Sequence, residues 1–193
     1  MSAFSFRNDV LGAPRSSAST SDSVLVIIDA QNEYANGKLA VKNVEQSRKV
    51  IGSLLNKYRK ANGKVVHVLH QVPDGAPVFT PGSDLAKEFD ELKPKDGEPT
   101  IQKQVPGAFT GTDLHKTLEG YGLKKLVLTG YMAHVCVSTT AREGMQSGYD
   151  VVIPEDAVGD RAIPGVSADE VVKVALAELG DAFATIIKSS EIS

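Results

Sequence analysis

The chain has 193 residues, of which 41% are hydrophobic and 23% are charged, a composition typical of a globular domain that buries roughly 70% of its unfolded surface. Its 21 basic and 24 acidic residues give a formal charge of -3, which argues against a nucleic acid or an anionic membrane as a partner. One cysteine excludes an internal disulfide and a multi-cysteine zinc site, and no apolar run reaches the roughly 18 residues that span a membrane.

Residues 1–23 are predicted to form a flexible N-terminal arm, because serine and threonine crowd its second half. An arm that packs on a neighbouring subunit is the alternative. The segment has no basic start followed by an apolar core, so a conventional secretory signal is not expected. The expected location is therefore cytoplasmic, with non-conventional secretion left open.

Strand and helix signals alternate along the rest of the chain. The strand signals lie at 24–28, 65–69, 100–103, 125–129, 150–154 and 184–188. The helix signals lie at 44–61, from 112 to 122, at 137–146 and after a capping box formed by Ser167 and Glu170. Asn43 is expected to cap the first of these helices.

Strands that alternate with helices require crossover connections, which build a parallel sheet with helices on both faces. We therefore predict one domain over residues 24–193, with a three-layer α/β/α, Rossmann-like fold and a six-stranded, mainly parallel sheet. Ligands of such sheets bind beyond the carboxyl ends of the strands. The predicted strand ends of this chain carry Asp29, His70, Lys103 and the segments 130–136 and 154–156.

Three of these side chains could act together as a base, a cation and a nucleophile. Asp29 follows five apolar residues, although an aspartate after a strand often only caps the next turn. Cys136 falls near the start of a helix, which is expected to lower its thiol pKa; a small buried core residue is the alternative. Lys103 ends a short strand and would hold Asp29 ionised, unless it is an ordinary solvated lysine.

The residues around these positions resemble the isochorismatase-like cysteine hydrolase family, which includes isochorismatases, nicotinamidases, carbamoylsarcosine amidases, and biuret and ureidoacrylate hydrolases. The resemblance covers residues 24–192. It rests on three ordered runs, which are VLVIIDAQNEY from position 24, KQVPGAFTGTDL from position 103 and GYMAHVCVSTTAREGMQSGYDVVIPEDA from position 130.

The resemblance implies a catalytic triad of Asp29, Lys103 and Cys136. Asp29 would take the thiol proton, and the thiolate would attack a planar carbonyl carbon. The resemblance also implies a cis peptide bond between Tyr131 and Met132, and an oxyanion hole made by the main-chain N–H groups of Met132 and Cys136. No cofactor is implied.

The substrate is a small molecule whose identity the sequence leaves open. The reading we favour is an amide or ureide C–N bond cleaved through a cysteine thioester. A true isochorismatase, cleaving a vinyl ether to pyruvate and a dihydroxy-dihydrobenzoate, and a catalytically idle binding or scaffold member are the alternatives. Candidate substrate contacts are Tyr34, Phe109, Tyr131 and His134, each of which could instead serve packing or, for His134, a helix cap.

A metal site is not expected. Nicotinamidases of the family carry an Asp-x-His element near the second strand, and this chain has His67 and His70 there without that element. A dianionic substrate would call for an arginine, and only Arg142 and Arg161 lie near strand-end loops.

The chain is expected to form a homo-oligomer, a dimer or larger. The helix at 137–146 carries small residues that permit a close approach by another subunit. The loop at 72–81 carries Val78 and Phe79, which are predicted to be exposed in a monomer and to mark a contact.

Overall fold

One parallel sheet organises the molecule, whose computed structural model describes residues 4–193. The strands are β1 (Val24–Ile28), β2 (Lys64–His70), β3 (Thr100–Lys103), β4 (Lys125–Tyr131), β5 (Asp150–Pro154), β6 (Val158–Gly159) and β7 (Thr185–Ile187). The helices are α1 (Glu33–Asn36), α2 (Val44–Lys60), α3 (Leu114–Tyr121), α4 (Ser138–Gln146) and α5 (Ala168–Ala182).

The strand order across the sheet is β3-β2-β1-β4-β5-β7, and every strand pairing is parallel. The sheet has seven strands where six were predicted, because β6 adds two residues beside the end of β4. A two-residue strand is too short to leave a hydrophobic pattern in the sequence. The predicted fold class is otherwise confirmed.

The central strand β1 is covered on both faces. Val24, Val26 and Ile28 point into the core formed with α3, α4 and α5, whereas Leu25 and Ile27 point into the core formed with α1 and α2. Successive side chains of a strand alternate between its faces, so a strand buried on both sides needs a continuous apolar run. The three predicted layers follow from this arrangement.

The predicted helix starts differ in their outcome. Ser167 accepts a hydrogen bond from the Glu170 N–H, and the Glu170 carboxylate accepts one from the Ser167 N–H, so the capping box of α5 is confirmed. Asn43 precedes α2, but it adopts a left-handed conformation with φ 57° and its side chain makes no cap hydrogen bond. The predicted capping role of Asn43 is therefore wrong.

Part of the N-terminal arm lies against the domain. The first three residues of the predicted 1–23 arm are outside the described residues. The Phe6 N–H donates to the Asp181 carboxylate at the end of α5 (2.8 Å), and the Thr20 N–H donates to the carbonyl of Ser193 (2.9 Å). None of the helices formed by residues 4–193 combines the length and apolar character needed to cross a membrane.

The loop between β2 and β3 turns its aromatic residue inward. The Phe79 ring meets Tyr34 and His70 edge to face, with centroid distances of 5.3 and 5.2 Å, and its N–H donates to the Glu33 carboxylate (3.1 Å). Phe79 is 4% exposed, so the prediction of an exposed Phe79 is wrong, while Val78 is half-buried. This loop therefore offers less apolar surface for a subunit contact than expected.

Candidate active site

Asp29 lies at the carboxyl end of β1, where the chain leaves the sheet. Its backbone is left-handed, with φ 48°, and its N–H donates to the carbonyl of Val68 on the neighbouring strand (2.8 Å). The side chain is fully buried. The Lys103 Nζ lies 2.8 Å from Oδ2, an ion-pair distance, although the angles do not make it a hydrogen bond. Both carboxylate oxygens therefore keep lone pairs free to accept a proton.

Lys103 brings a buried positive charge to Asp29 from the edge strand. It ends β3, which is separated from β1 by β2, so only a long side chain spans the gap. Its ammonium lies 3.4 Å from the Cys136 Sγ and 3.2 Å from the Val105 carbonyl oxygen. The cation thus contacts both the carboxylate and the thiol.

Cys136 follows β4 in a π-helical turn formed by Ala133–Val137, directly before α4. Its approach depends on Gly130, which has φ 111° and lies against the main chain of β1: a β-carbon at Gly130 would be 1.9 Å from the carbonyl oxygen of Ile28. Only glycine accepts this conformation at this distance. The structure thereby brings Asp29, Lys103 and Cys136 together from three separate strand ends.

The protonation states at the cluster differ from the predicted ones. Burial, helped by the nearby Asp29 carboxylate and opposed by the Lys103 charge, raises the pKa of the Cys136 thiol to about 12. The predicted lowering of this pKa by the helix start is wrong, because desolvation of the thiolate outweighs it. Burial likewise raises the pKa of Asp29 against the opposing charge of Lys103. The resting site therefore holds a neutral thiol beside a carboxyl group of increased basicity.

The segment between β4 and Cys136 has the backbone form that the resemblance implied. The Tyr131–Met132 peptide bond is cis. The N–H groups of Val135 and Val137 donate to the Met132 carbonyl, and that of His134 donates to Asp160.

Two of the predicted contact residues are aromatic and buried. Tyr34 is close enough to the cluster that burial first, and then its interactions with Cys136 and Asp29, raise its phenol pKa above the ordinary range. The Tyr131 hydroxyl instead shares a hydrogen bond with the Ser47 hydroxyl on α2 at 2.7 Å. The structure therefore places Tyr34 at the site and Tyr131 in the core.

Phe109 does not reach the cluster. Its ring packs against Tyr149 and His115 at centroid distances of 5.8 and 6.4 Å, and Tyr149 directly precedes β5, at the amino end of that strand. The Phe109 N–H donates to the Glu143 carboxylate (3.0 Å), which turns this loop toward α4. The structure therefore places Phe109 in the packing around α4, and its contact with a substrate stays a prediction.

His134 is held by a buried carboxylate. Its Nδ1 lies 2.6 Å from Asp160 Oδ2, and its N–H donates to the same oxygen (2.9 Å). The side chain keeps 30% of its surface exposed, whereas Asp160 has none. His134 thus lines the surface beside the cis peptide and does not cap a helix with its imidazole.

The two candidate arginines are not equivalent. Arg142 is engaged on the outer side of α4, where it contacts Glu178 (3.3 Å) and stacks over the Phe183 ring (4.2 Å). Arg161 follows β6 and bonds the Ala162 carbonyl, but it forms no ion pair within residues 4–193, and its buried Nε has no hydrogen-bond partner there.

The sequence pattern assigns no role to His70, which contacts the lysine, or to Gln31, which binds the main chain of His70. The His70 Nδ1 lies 3.2 Å from the Lys103 ammonium, and Gln31 bonds the main chain of His70 on both sides. His70 ends β2, so the rule that ligands bind beyond the carboxyl ends of parallel strands points to it. Gln31 lies two residues after Asp29. Within residues 4–193 no three His, Cys, Asp or Glu side chains are grouped to hold a metal ion.

A separate cavity of about 690 Å³ lies between the start of α2 and α5. It is lined by residues such as Gln46, Val172 and Leu176, and it includes none of the three clustered side chains. The chemistry of the clustered residues, and not the cavity size, identifies the candidate active site.

Comparisons with known proteins identify the family of the chain. The model of the isochorismatase domain matches residues 23–191. A secreted isochorismatase effector from Verticillium dahliae is 61% identical over 189 residues, covering 98% of this chain and 99% of that protein.

Two crystal structures are similar over most of the chain. An isochorismatase from Pseudomonas putida, 31% identical, gives a TM-score of 0.93 with 100% of both chains covered. N-carbamoylsarcosine amidase from Thermoplasma acidophilum, 26% identical, gives 0.77 over 89% of this chain and 99% of that one. The chain therefore belongs to the isochorismatase-like hydrolase family.

Proposed function

We propose that the protein is a cysteine hydrolase that uses Asp29, Lys103 and Cys136 to cleave an amide or ureide C–N bond of a small molecule. The observation that carries this proposal is the position of the Lys103 ammonium, 2.8 Å from Asp29 Oδ2 and 3.4 Å from the Cys136 Sγ. A carboxylate, a cation and a thiol buried in mutual contact have little structural value, because their desolvation is costly.

The first half-reaction forms a thioester. Asp29 takes the Cys136 proton as the sulfur attacks the carbonyl carbon, and the negative charge passes to the carbonyl oxygen. The main-chain N–H groups of Met132 and Cys136 hold that oxygen, with the Lys103 charge beside it. The C–N bond then breaks, and Asp29 returns its proton to the leaving nitrogen, so the amine departs neutral.

The second half-reaction releases the acid. Water attacks the thioester carbon while Asp29 takes one of its protons, and the C–S bond breaks with the proton returning to Cys136. The raised pKa of Asp29 favours this role, because it makes the carboxylate a stronger base toward the thiol and toward water. The similarity to N-carbamoylsarcosine amidase supports the C–N chemistry.

Isochorismate cleavage is the second candidate, and two observations favour it. Burial raises the pKa of Asp29, which helps this residue donate a proton to a vinyl ether. Arg161 follows β6 and forms no ion pair with a carboxylate within residues 4–193, so its guanidinium is available to bind an anionic substrate. The names of the Verticillium and Pseudomonas relatives point the same way.

Product analysis with two variants separates these functions. Ammonia release is measured from a panel of amides and ureides, and pyruvate release from isochorismate, for the wild type, Cys136→Ala and Asp29→Asn. The amidase proposal expects both variants to lose ammonia release. If pyruvate release is retained in Cys136→Ala and lost in Asp29→Asn, the amidase proposal is wrong and the protein is an isochorismatase. A wild type without turnover and with a thiol inert to alkylation would support the idle member.

The location of the protein is a second matter for proposal. The Verticillium relative is named as a secreted effector, so it does not support the expected cytoplasmic location. We infer that this chain also acts outside the cell that makes it. Immunoblots of culture filtrate and of cell lysate, with a cytosolic marker as control, test the inference, which fails if the protein stays with the marker.

We further infer that the chain forms a homo-oligomer. Phe4, Phe6, Val10 and Leu11 are exposed along the N-terminal arm, and clustered apolar side chains commonly mark subunit contacts. Light scattering at micromolar concentration is expected to give a mass above the 20.5 kDa of one chain. A mass of 20.5 kDa would refute the inference.

A further inference from the structure

The ring of His70 is the nearest side chain to the buried lysine that the proposed mechanism does not use. His70 and Lys103 are register partners at the ends of the parallel strands β2 and β3. Partners in neighbouring strands present their side chains on the same face of the sheet. The His70 Nδ1 accordingly lies 3.2 Å from the Lys103 Nζ.

His70 is itself fixed from two directions. The Gln31 amide accepts a hydrogen bond from the His70 N–H (2.9 Å) and donates to the His70 carbonyl (3.0 Å). The Phe79 ring meets the imidazole edge to face at 5.2 Å. A ring held by its main chain and by packing keeps one orientation, so it can act as a fixed acceptor.

The contact with lysine determines which ring nitrogen carries the proton. An ammonium group only donates hydrogen bonds, so Nδ1 must be the bare acceptor and Nε2 must carry the proton. Burial and the adjacent Lys103 charge lower the pKa of His70 to about 4, which keeps the ring neutral at physiological pH.

The lysine then has a set of acceptors that matches its three protons. Nζ donates to the Val105 carbonyl (3.2 Å), to His70 Nδ1 (3.2 Å) and to the Cys136 Sγ (3.4 Å), while Asp29 Oδ2 lies at ion-pair distance (2.8 Å). Three fixed acceptors around a buried ammonium determine where its charge lies.

We propose that His70 is a positioning residue: as a neutral ring protonated at Nε2, it accepts a hydrogen bond from Lys103 and holds the ammonium between Asp29 and Cys136. The proposal rests on the proposed function, since it assigns Lys103 the task of stabilising the negative charge that develops at the thiol and at the carbonyl oxygen.

The tautomer is measurable in the wild-type chain. Long-range proton–nitrogen correlation spectra of ¹⁵N-labelled protein distinguish a bare from a protonated Nδ1, and the spectrum of His70→Asn identifies the His70 signals among those of four histidines. A neutral ring with a bare Nδ1 at neutral pH is expected. A protonated Nδ1 overturns the proposal, and this result does not depend on any variant folding.

Thiol alkylation tests the positioning role. Cys136 is the only cysteine, so the rate of iodoacetamide labelling over a range of pH reports on it alone. His70→Leu removes the acceptor, and labelling at neutral pH should fall by about tenfold, because hydrogen bonds to charged groups are among the strong ones. His70→Asn keeps an acceptor at the δ position and should restore most of the rate. His115→Leu on α3 is the matched control and should label as the wild type does.

Two results would contradict this role. A labelling profile of His70→Leu that overlays the wild-type profile would show that Lys103 needs no such acceptor. Equal impairment of His70→Asn and His70→Leu would show that the ring serves packing against Phe79 instead. Neither readout requires a substrate, so the inference on His70 and the assignment of amide hydrolysis can fail independently.

Discussion

Gly130 tests how the backbone builds the site, because a methyl group at this position would collide with main-chain atoms of β1, which cannot move aside as a side chain can. In Gly130→Ala the new β-carbon would lie 1.9 Å from the Ile28 carbonyl oxygen and 2.8 Å from the Ile28 carbonyl carbon. Ordinary contacts begin at 3.4 Å, so the end of β4 must move away from β1 in the centre of the sheet.

Two other glycines separate the clash from the backbone conformation. Gly120 lies in α3 with open space around it, so Gly120→Ala should stabilise the chain by about 0.5–1 kcal/mol. Gly111 has φ 71° and also has open space, so Gly111→Ala should cost about 1–2 kcal/mol. Gly130→Ala combines a positive φ with the clash and should cost more than about 4 kcal/mol.

Urea unfolding followed by far-ultraviolet circular dichroism and tyrosine fluorescence measures all three variants, since the chain has no tryptophan. The Gly130→Ala chain should also lose thiol reactivity, because Cys136 follows the displaced strand. A free energy of unfolding within about 1 kcal/mol of that of Gly111→Ala would refute the argument that main-chain contact at Gly130 fixes the site.

Three further predictions concern charge. Lys103→Met should destabilise the chain by about 3–5 kcal/mol at neutral pH by leaving the Asp29 carboxylate without its counter-charge, and an unchanged thermal midpoint would contradict this. Burial acts to raise the pKa of Glu98, but two bonds from Arg59 outweigh it and hold the pKa at about 2 against 4.5 in the unfolded chain. This stabilisation is present above pH 4.5 and is lost as the pH falls through about 2. In Glu98→Gln, the free energy of unfolding measured with urea should therefore change less between pH 4.5 and pH 2 than in the wild type. The pKa of His70 is about 4 in the folded chain and 6.5 in the unfolded chain, so the free energy of unfolding should fall as the pH drops from 6.5 to 4. His70→Asn should remove this fall, and a pH profile of stability identical to that of the wild type would contradict the prediction.

The sequence was informative where one physical rule determines the outcome. The continuous apolar run at 24–28 coincides with β1 because both faces of that strand are covered. Alternating elements imply a parallel sheet, and the ends of parallel strands meet at one edge, which is why Asp29, His70 and Lys103 were marked together. The resemblance to a known family then supplied the segment that carries Cys136.

What the sequence could not give depends on contacts between distant segments. The direction of Phe109 follows from the bond between its N–H and Glu143, 34 residues away, and no local pattern encodes that contact. The burial of Phe79 depends in the same way on Glu33 and Tyr34. The raised thiol pKa of Cys136 cannot be predicted from the sequence, because the burial that raises it exists only in the packed structure.

The position of β1 in the sheet has a consequence for how the chain folds as it is synthesised. The first strand, β1, lies in the middle of the sheet. The chain then adds β2 and β3 on one side of β1, and only afterwards β4, β5 and β7 on the other side. Until residues 125–131 leave the ribosome, β1 presents a bare, wholly apolar edge, which is the kind of surface that aggregates. β4 covers this edge and leads directly into Cys136. Cys136 therefore reaches Asp29 and Lys103 in the nascent chain only when the exposed edge of β1 is covered.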